Sequence, residues 1–177
     1  MSSRLRLLPA LLAPVLFGAA LSAPAGASEP ANPQVDYEGF ARLTGELSGI
    51  RQDHLLPWEE FSRRMREEGA LLLDARSAAA FAGGHIAGAV NLPLPDFTDE
   101  ALLAAIGPDR NRPIYIYCNN NFTDDRAPVP TKRAPMALNI PTFINLHGYG
   151  YTNVWELADL LETADVPWVS SPAAARE

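Results

Sequence analysis

The run Pro113–Cys118, Pro-Ile-Tyr-Ile-Tyr-Cys, is apolar or aromatic at every position after its proline. A strand with one wet face alternates apolar and polar residues; a strand covered on both faces does not. This run therefore predicts a central strand with packing layers above and below it. The economical way to supply both layers is a parallel sheet whose crossover helices cover its two faces.

The flanking sequence alternates helical and extended patterns as that arrangement requires. Tyr37 to Leu47 spaces Phe40, Leu43 and Leu47 at helical intervals, which predicts a short amphipathic helix. Pro57 to Gly69 predicts a second helix, with Pro57 in the first turn, Glu59 and Glu60 at the positive end and Gly69 as the stop. Leu71–Asp74 reads as a buried strand. Ser77 caps a short helix over 78–81, which Gly83-Gly84 ends. Residues 89–94 form a brief strand, and Thr98 caps a helix that stops at Gly107. After Cys118 comes a polar, proline-rich loop from Asn119 to about Arg133. Residues 138–148 read as a helix that Pro141 either opens or kinks. A strand at 153–157 follows, then a final helical turn in 158–164.

The N-terminus has its own signature. Arg4 and Arg6 precede an apolar core from Leu7 to Leu21, and Ala25-Gly26-Ala27 fits the small-residue rule for signal peptidase. Residues 1–27 are thus expected to be a secretory signal. Pro9, Pro14 and the shortness of the core argue against a membrane anchor, since a spanning helix needs about 20 apolar residues. The expected organisation is signal 1–27, N-terminal extension with a short helix 28–52, one α/β domain 53–168 and a disordered tail 169–177. The formal net charge is −7, and it becomes more negative if the two signal arginines are removed. That balance excludes a broad nucleic-acid or anionic-membrane surface, and no stable membrane insertion is expected after signal cleavage.

Cys118 is the only cysteine of the chain. A single cysteine in an oxidising compartment forms no internal disulfide. It is a buried filler, an intermolecular link or a reactive thiol. Its position distinguishes it from an ordinary filler. Ligands of open parallel sheets sit beyond the carboxyl ends of the strands. A loop leaving such an end toward a helix offers consecutive N–H groups and a helix N-terminus, which stabilise a thiolate. Asn121-Phe122-Thr123 also reads as a glycosylation sequon, although a glycan there would block the pocket.

The pattern resembles the rhodanese-like domain family. The residues that carry the resemblance are Asp74-Ala75-Arg76 after a strand, Phe81 on the short helix, the turn Gly84-His85-Ile86-Ala87-Gly88-Ala89, the strand 113–118 and the segment His147–Leu157. It covers roughly residues 55–161. The resemblance implies an α/β fold with a small parallel sheet flanked by helices on both faces. It also implies sulfur transfer: Cys118 takes a sulfane sulfur from a small sulfur-containing donor, holds it as a persulfide and passes it to a thiol or cyanide acceptor. On this reading Asn119, Asn120, Asn121, Phe122 and Thr123 form an anion cradle. Asp74, Arg76 and His85 are structural support, and no cofactor is implied.

The loop departs from the family's usual form. It contains no glycine, and Thr123 stands where active relatives carry an arginine. The candidate cations are instead Arg126, Lys132 and Arg133, with Asp124 and Asp125 intervening. The three histidines have no ligand spacing, so no metal is expected. The alternative to the enzyme is a noncatalytic rhodanese-like module that binds an anion, a sulfur species or a protein partner through this loop. A phosphatase-like use of the cradle is weaker, because phosphoryl transfer depends on the missing charge. The oligomeric state is left open by the sequence.

Overall fold

The structure, a computed structural model, describes residues 32–170. The expected signal, 1–27, lies outside the described residues, as does nearly all of the expected tail. The chain divides into two units, 1–36 and 37–177. In the first, the Val35 amide donates to the Asn32 carbonyl. In the second, five parallel strands form the sheet: β1 (Leu55–Leu56), β2 (Leu71–Asp74), β4 (Val90–Asn91), β5 (Ile114–Tyr117) and β6 (Val154–Leu157). Their order is β1-β6-β5-β2-β4, and every pairing is parallel. β5 sits in the middle, as its two-sided apolar pattern requires. A second, two-stranded antiparallel pair joins β3 (His85–Ile86) to β7 (Trp168–Val169).

Side-chain alternation sorts the central strands between two cores. Ile114 and Ile116 enter one core with Leu71 and Leu73, while Tyr115 and Tyr117 enter the other with Leu72. The first core is closed by helices α1 (Tyr37–Ile50), α4 (Asp99–Ile106) and α5 (Asn139–Gly148), through Leu47, Leu102, Ile106, Phe143 and Leu146. The second is closed by α2 (Trp58–Arg64), through Phe61, together with Met65, Ile86 and Val166. Helix α3 (Ala78–Gly83) starts at Ser77, whose hydroxyl accepts from the Ala80 amide. Thr98 caps α4 in the same way, and Gly107, at φ 96°, ends it. Gly84 is required by close approach, because a Cβ there would lie 2.2 Å from Trp168 Nε1.

Several expectations are corrected. α1 is longer than expected and belongs to the same unit as the sheet, because Leu47 is part of the core. Pro141 is the third residue of α5, in a first turn whose amides have no helical partner anyway, so it opens the helix rather than kinking it. Residues 158–164 form no final α-helical turn. Leu161 pairs instead with Phe122 in an isolated parallel bridge, and only Thr163–Asp165 makes a 3-10 turn. The two-residue strands β1, β3 and β7 were not anticipated, being too short to show a period. Among the described residues no helix is long and apolar enough to cross a membrane.

Candidate functional site

Cys118 follows the last residue of β5 and begins a 3-10 turn, Asn119–Asn121. It is 1% exposed. The backbone amides of Asn139, Asn120 and Leu138 face its sulfur and favour its charged form. The last two residues of that group to be reached along the chain, Leu138 and Asn139, are where α5 starts, so their N–H groups are among those a helix leaves without internal partners. Two segments of chain therefore converge on one sulfur. Burial pushes the thiol up from its ordinary value, the three amides oppose that, and the Glu156 carboxylate adds to it.

The cradle differs from the one the sequence suggested. Of residues 119–123, Asn120 and Asn121 turn their amides toward the sulfur. The Asn121 amide also donates to the Cys118 carbonyl, Phe122 to Asn119 and Thr123 to Leu161. The reason is the tight 3-10 turn, which points successive amides back along the chain. The remaining donors come from Leu138 and Asn139, which carried no signal because a loop of variable length separates them from the cysteine.

The three asparagines do three different jobs. Asn119 Nδ2 donates to the Pro130 carbonyl at 3.0 Å. Asn120 donates to the Lys132 carbonyl at 2.7 Å and accepts from the Lys132 amide at 3.2 Å. Together they tie the long loop back to the cysteine turn. Asn121 joins three elements: its Oδ1 accepts from the Cys118 amide at 2.9 Å and from Asn139 Nδ2 at 3.0 Å, and its Nδ2 donates to the carbonyls of Leu157 and Asp159. With both ends occupied and the residue buried, Asn121 leaves no room for a glycan. Phe122 packs edge-on against Tyr117 and Trp168.

The expected cations are exposed. The Arg126 side chain is 80% exposed and approaches Asp124 at 3.8 Å. Asp124 in turn accepts from the Thr163 amide and hydroxyl, at 2.9 and 2.8 Å, which holds its carboxyl below its ordinary value. Asp125 accepts from the Thr131 amide at 2.8 Å. Lys132 and Arg133 are exposed, and Lys132 lines a cavity of about 390 Å³ on the β2 side, with Arg76, Pro93 and Asn119. His85 stacks on Phe81 with centroids 3.6 Å apart and donates from Nδ1 to the Phe81 carbonyl.

Two buried ion pairs flank β5. Arg76 forks onto Asp74, with Nη2 2.5 Å from Oδ2. It also donates to the carbonyls of Gly84 and Pro128, and the Tyr117 hydroxyl donates to Asp74 at 2.7 Å. Burial works against the guanidinium's charge, but Asp74 outweighs it and raises Arg76 above its ordinary value. On the other side, Arg51 donates from Nε and Nη2 to the two oxygens of Glu156, at 2.7 and 2.6 Å. The residues Arg51, Asn120, Asn121, Asn139 and Glu156 line a cavity of about 380 Å³. Neither Arg51 nor Glu156 was singled out in the sequence; 105 positions separate them. Among the described residues no group of three or more potential ligand side chains could hold a metal ion.

The architecture is an open parallel α/β sheet with a lone cysteine at the carboxyl end of its central strand. The family model described as Rhodanese-like domain matches residues 57–159, and the chain belongs to that family. A relative from Bacillus subtilis (strain 168), the uncharacterized protein YqhL, is 39% identical over 69 residues, covering 39% of this chain and 50% of its own. The chain thus spans half the length of that relative. Similar solved structures include the Alr3790 protein from Anabaena sp., at TM-score 0.47 and 19% identity, covering 67% of this chain and 95% of its own. They also include a polysulfide-sulfur transferase homodimer from Wolinella succinogenes, at TM-score 0.43 and 13% identity, covering 79% and 96%.

Proposed function

We propose that this chain is an exported sulfurtransferase that carries a sulfane sulfur as a persulfide on Cys118. The observation that carries the reading is the convergence of the Asn120, Leu138 and Asn139 amides on the Cys118 sulfur. Hydrogen bonds to a charged acceptor contribute roughly 1.5–3 kcal/mol each. Amides from two separate segments facing one sulfur are a more specific arrangement than a filler thiol needs.

With thiosulfate as donor the steps balance. Cys118 first loses its proton to solvent; the thiolate attacks the outer sulfur, the S–S bond of thiosulfate breaks, and sulfite leaves with the bonding pair. Cys118 is left as a persulfide anion. An acceptor thiolate or cyanide then attacks the terminal sulfur, and the Cys118 thiolate is released. A persulfide is a stronger acid than its parent thiol. The amide donors therefore meet a full anion after the first transfer even though burial holds the resting thiol neutral. Asn120 and Asn139, whose amides face the sulfur, also line the neighbouring cavity, the side from which a reactant would approach the buried Cys118. Support for export is the N-terminal pattern of Arg4, Arg6, the apolar core and Ala25-Gly26-Ala27; the N-terminus of the mature protein, expected at Ser28, tests it.

One observation favours the second reading, a noncatalytic module that binds an anion or a partner through the loop. Cys118 is buried, its thiol is raised, and Arg126, Lys132 and Arg133 face solvent. Thr123, in place of an arginine in the loop, counts equally against phosphatase chemistry. Incubation with thiosulfate, followed by intact mass and cyanolysis, separates the readings. The enzyme gains one sulfur that is lost in Cys118→Ser and released by cyanide as thiocyanate. A folded protein that gains none from several donors is the binding module.

A further inference from the structure

Resting on the sulfurtransferase reading, the geometry points to Arg51 as the anion-recognition residue of the site: we propose that it binds an oxyanion group, sulfonate or carboxylate, of the sulfur compound that meets Cys118. Arg51 lies before residue 57, outside the stretch that matches the family. It lines a different cavity from the one that Lys132 lines.

Three observations support this. First, Arg51 lines the 380 Å³ cavity together with Asn120 and Asn139, two of the residues whose amides face the sulfur. Secondly, the pair is asymmetrically buried. The Glu156 side chain is 3% exposed, whereas that of Arg51 is 32% exposed. Thirdly, Glu156 engages Nε and Nη2 only, and among the described residues Nη1 has no hydrogen-bond partner. A guanidinium has five N–H donors in a fixed plane, so one edge can be locked on a carboxylate while another meets a ligand oxygen. Glu156 is then the positioning residue. Without it, Arg51 would be a loosely held surface side chain.

A bland account, in which the pair is only scaffold, leaves one feature unexplained. A charge pair buried for support closes its donors on carbonyls, as Arg76 does. Arg76 also borders a cavity but is only 2% exposed, whereas Arg51 is 32% exposed and keeps a donor without a partner among the described residues. The carboxylate beside it also sets a preference. With Glu156 present the pair is formally neutral, so a ligand with one anionic oxygen group is favoured over one that concentrates two charges near the carboxylate.

The test uses the full-length Cys118→Ser protein and calorimetric titration with three probes: thiosulfate, 3-mercaptopropionate and uncharged 2-mercaptoethanol. The variant is Arg51→Met with Glu156→Gln, which removes both charges and leaves no unpaired buried carboxylate. We expect at least one anionic probe to bind, and its affinity to fall at least tenfold in the double variant, about 1.4 kcal/mol. Binding of 2-mercaptoethanol should not change. Arg51→Lys keeps the charge but not the fork and should fall between; it also decides the matter should the double variant fail to fold. Anion affinities that are equal with and without Arg51, or no anion binding when Arg51 is present, overturn the proposal. Persulfide formation on Cys118 is scored separately. Arg51-dependent binding without any persulfide refutes the sulfurtransferase alone, and persulfide without Arg51-dependent binding refutes only this inference.

Discussion

Two charge pairs stand on either side of the strand that delivers Cys118, and they are built to different ends. Asp74 and Arg76 are closed: their side chains are 0% and 2% exposed, and the guanidinium also reaches the Gly84 and Pro128 carbonyls. Arg51 and Glu156 are half open, with the carboxylate buried and the guanidinium at a cavity wall. A guanidinium that spends its donors on the protein is scaffold. One with a donor edge left over can meet a ligand. The difference lies in the surroundings, since both pairs have the same forked geometry.

Stability measurements sharpen the contrast. Arg76→Ala leaves Asp74 buried without its partner and should cost about 3–5 kcal/mol in urea unfolding. A loss below about 1 kcal/mol would remove the scaffold reading. Arg51→Met should cost less, about 1–3 kcal/mol, because Arg51 is partly solvated while the stranded Glu156 is not. Adding Glu156→Gln should recover most of that loss, and failure to recover would place the pair with Asp74–Arg76 as pure support.

Asn121 connects the two sides through the cysteine turn, and Asn121→Ala should cost roughly 1–3 kcal/mol by unpairing the Leu157 and Asp159 carbonyls and the Cys118 amide. The smallest effect is that of pH on Cys118 itself. Its thiol is raised, first by burial. The folded state therefore holds the proton where the unfolded thiol has begun to lose it. The stability that Cys118 contributes is complete below the ordinary thiol range near pH 8.5 and is lost as pH rises beyond it. Alkylation of Cys118 at pH 7 should be slower than that of free cysteine and should speed up with pH. A thiol that reacts fully at pH 6 would mean that the amides outweigh burial.

The same contrast explains what could be read from the residues. Asp74 and Arg76 lie two apart at the end of a strand, so local pattern and family resemblance located them together. Arg51 and Glu156 are joined only by the packing of the 3-10 turn Arg51–His54 against β6, and no local pattern marks a single arginine or a glutamate in a strand. The central strand, the caps at Ser77 and Thr98 and the stop at Gly107 follow from short-range rules, and the α/β layering follows from β5 alone. The cradle was harder to read. The asparagine run marked the place, but the tight turn aims the amides of Phe122 and Thr123 elsewhere, and the amides of Leu138 and Asn139 return across a long loop. Likewise, residues 158–164 looked helical because nothing local shows that Leu161 must extend to pair with Phe122.

The central claim is that the amides of Asn120, Leu138 and Asn139 hold a sulfur anion on Cys118. The direct measurement is the intact mass of purified protein after exposure to thiosulfate, with the modified residue located by peptide mapping. The account predicts one added sulfur, on Cys118, removable by cyanide and absent from Cys118→Ser. A correctly folded protein whose mass does not change with thiosulfate or with other sulfane donors would contradict it.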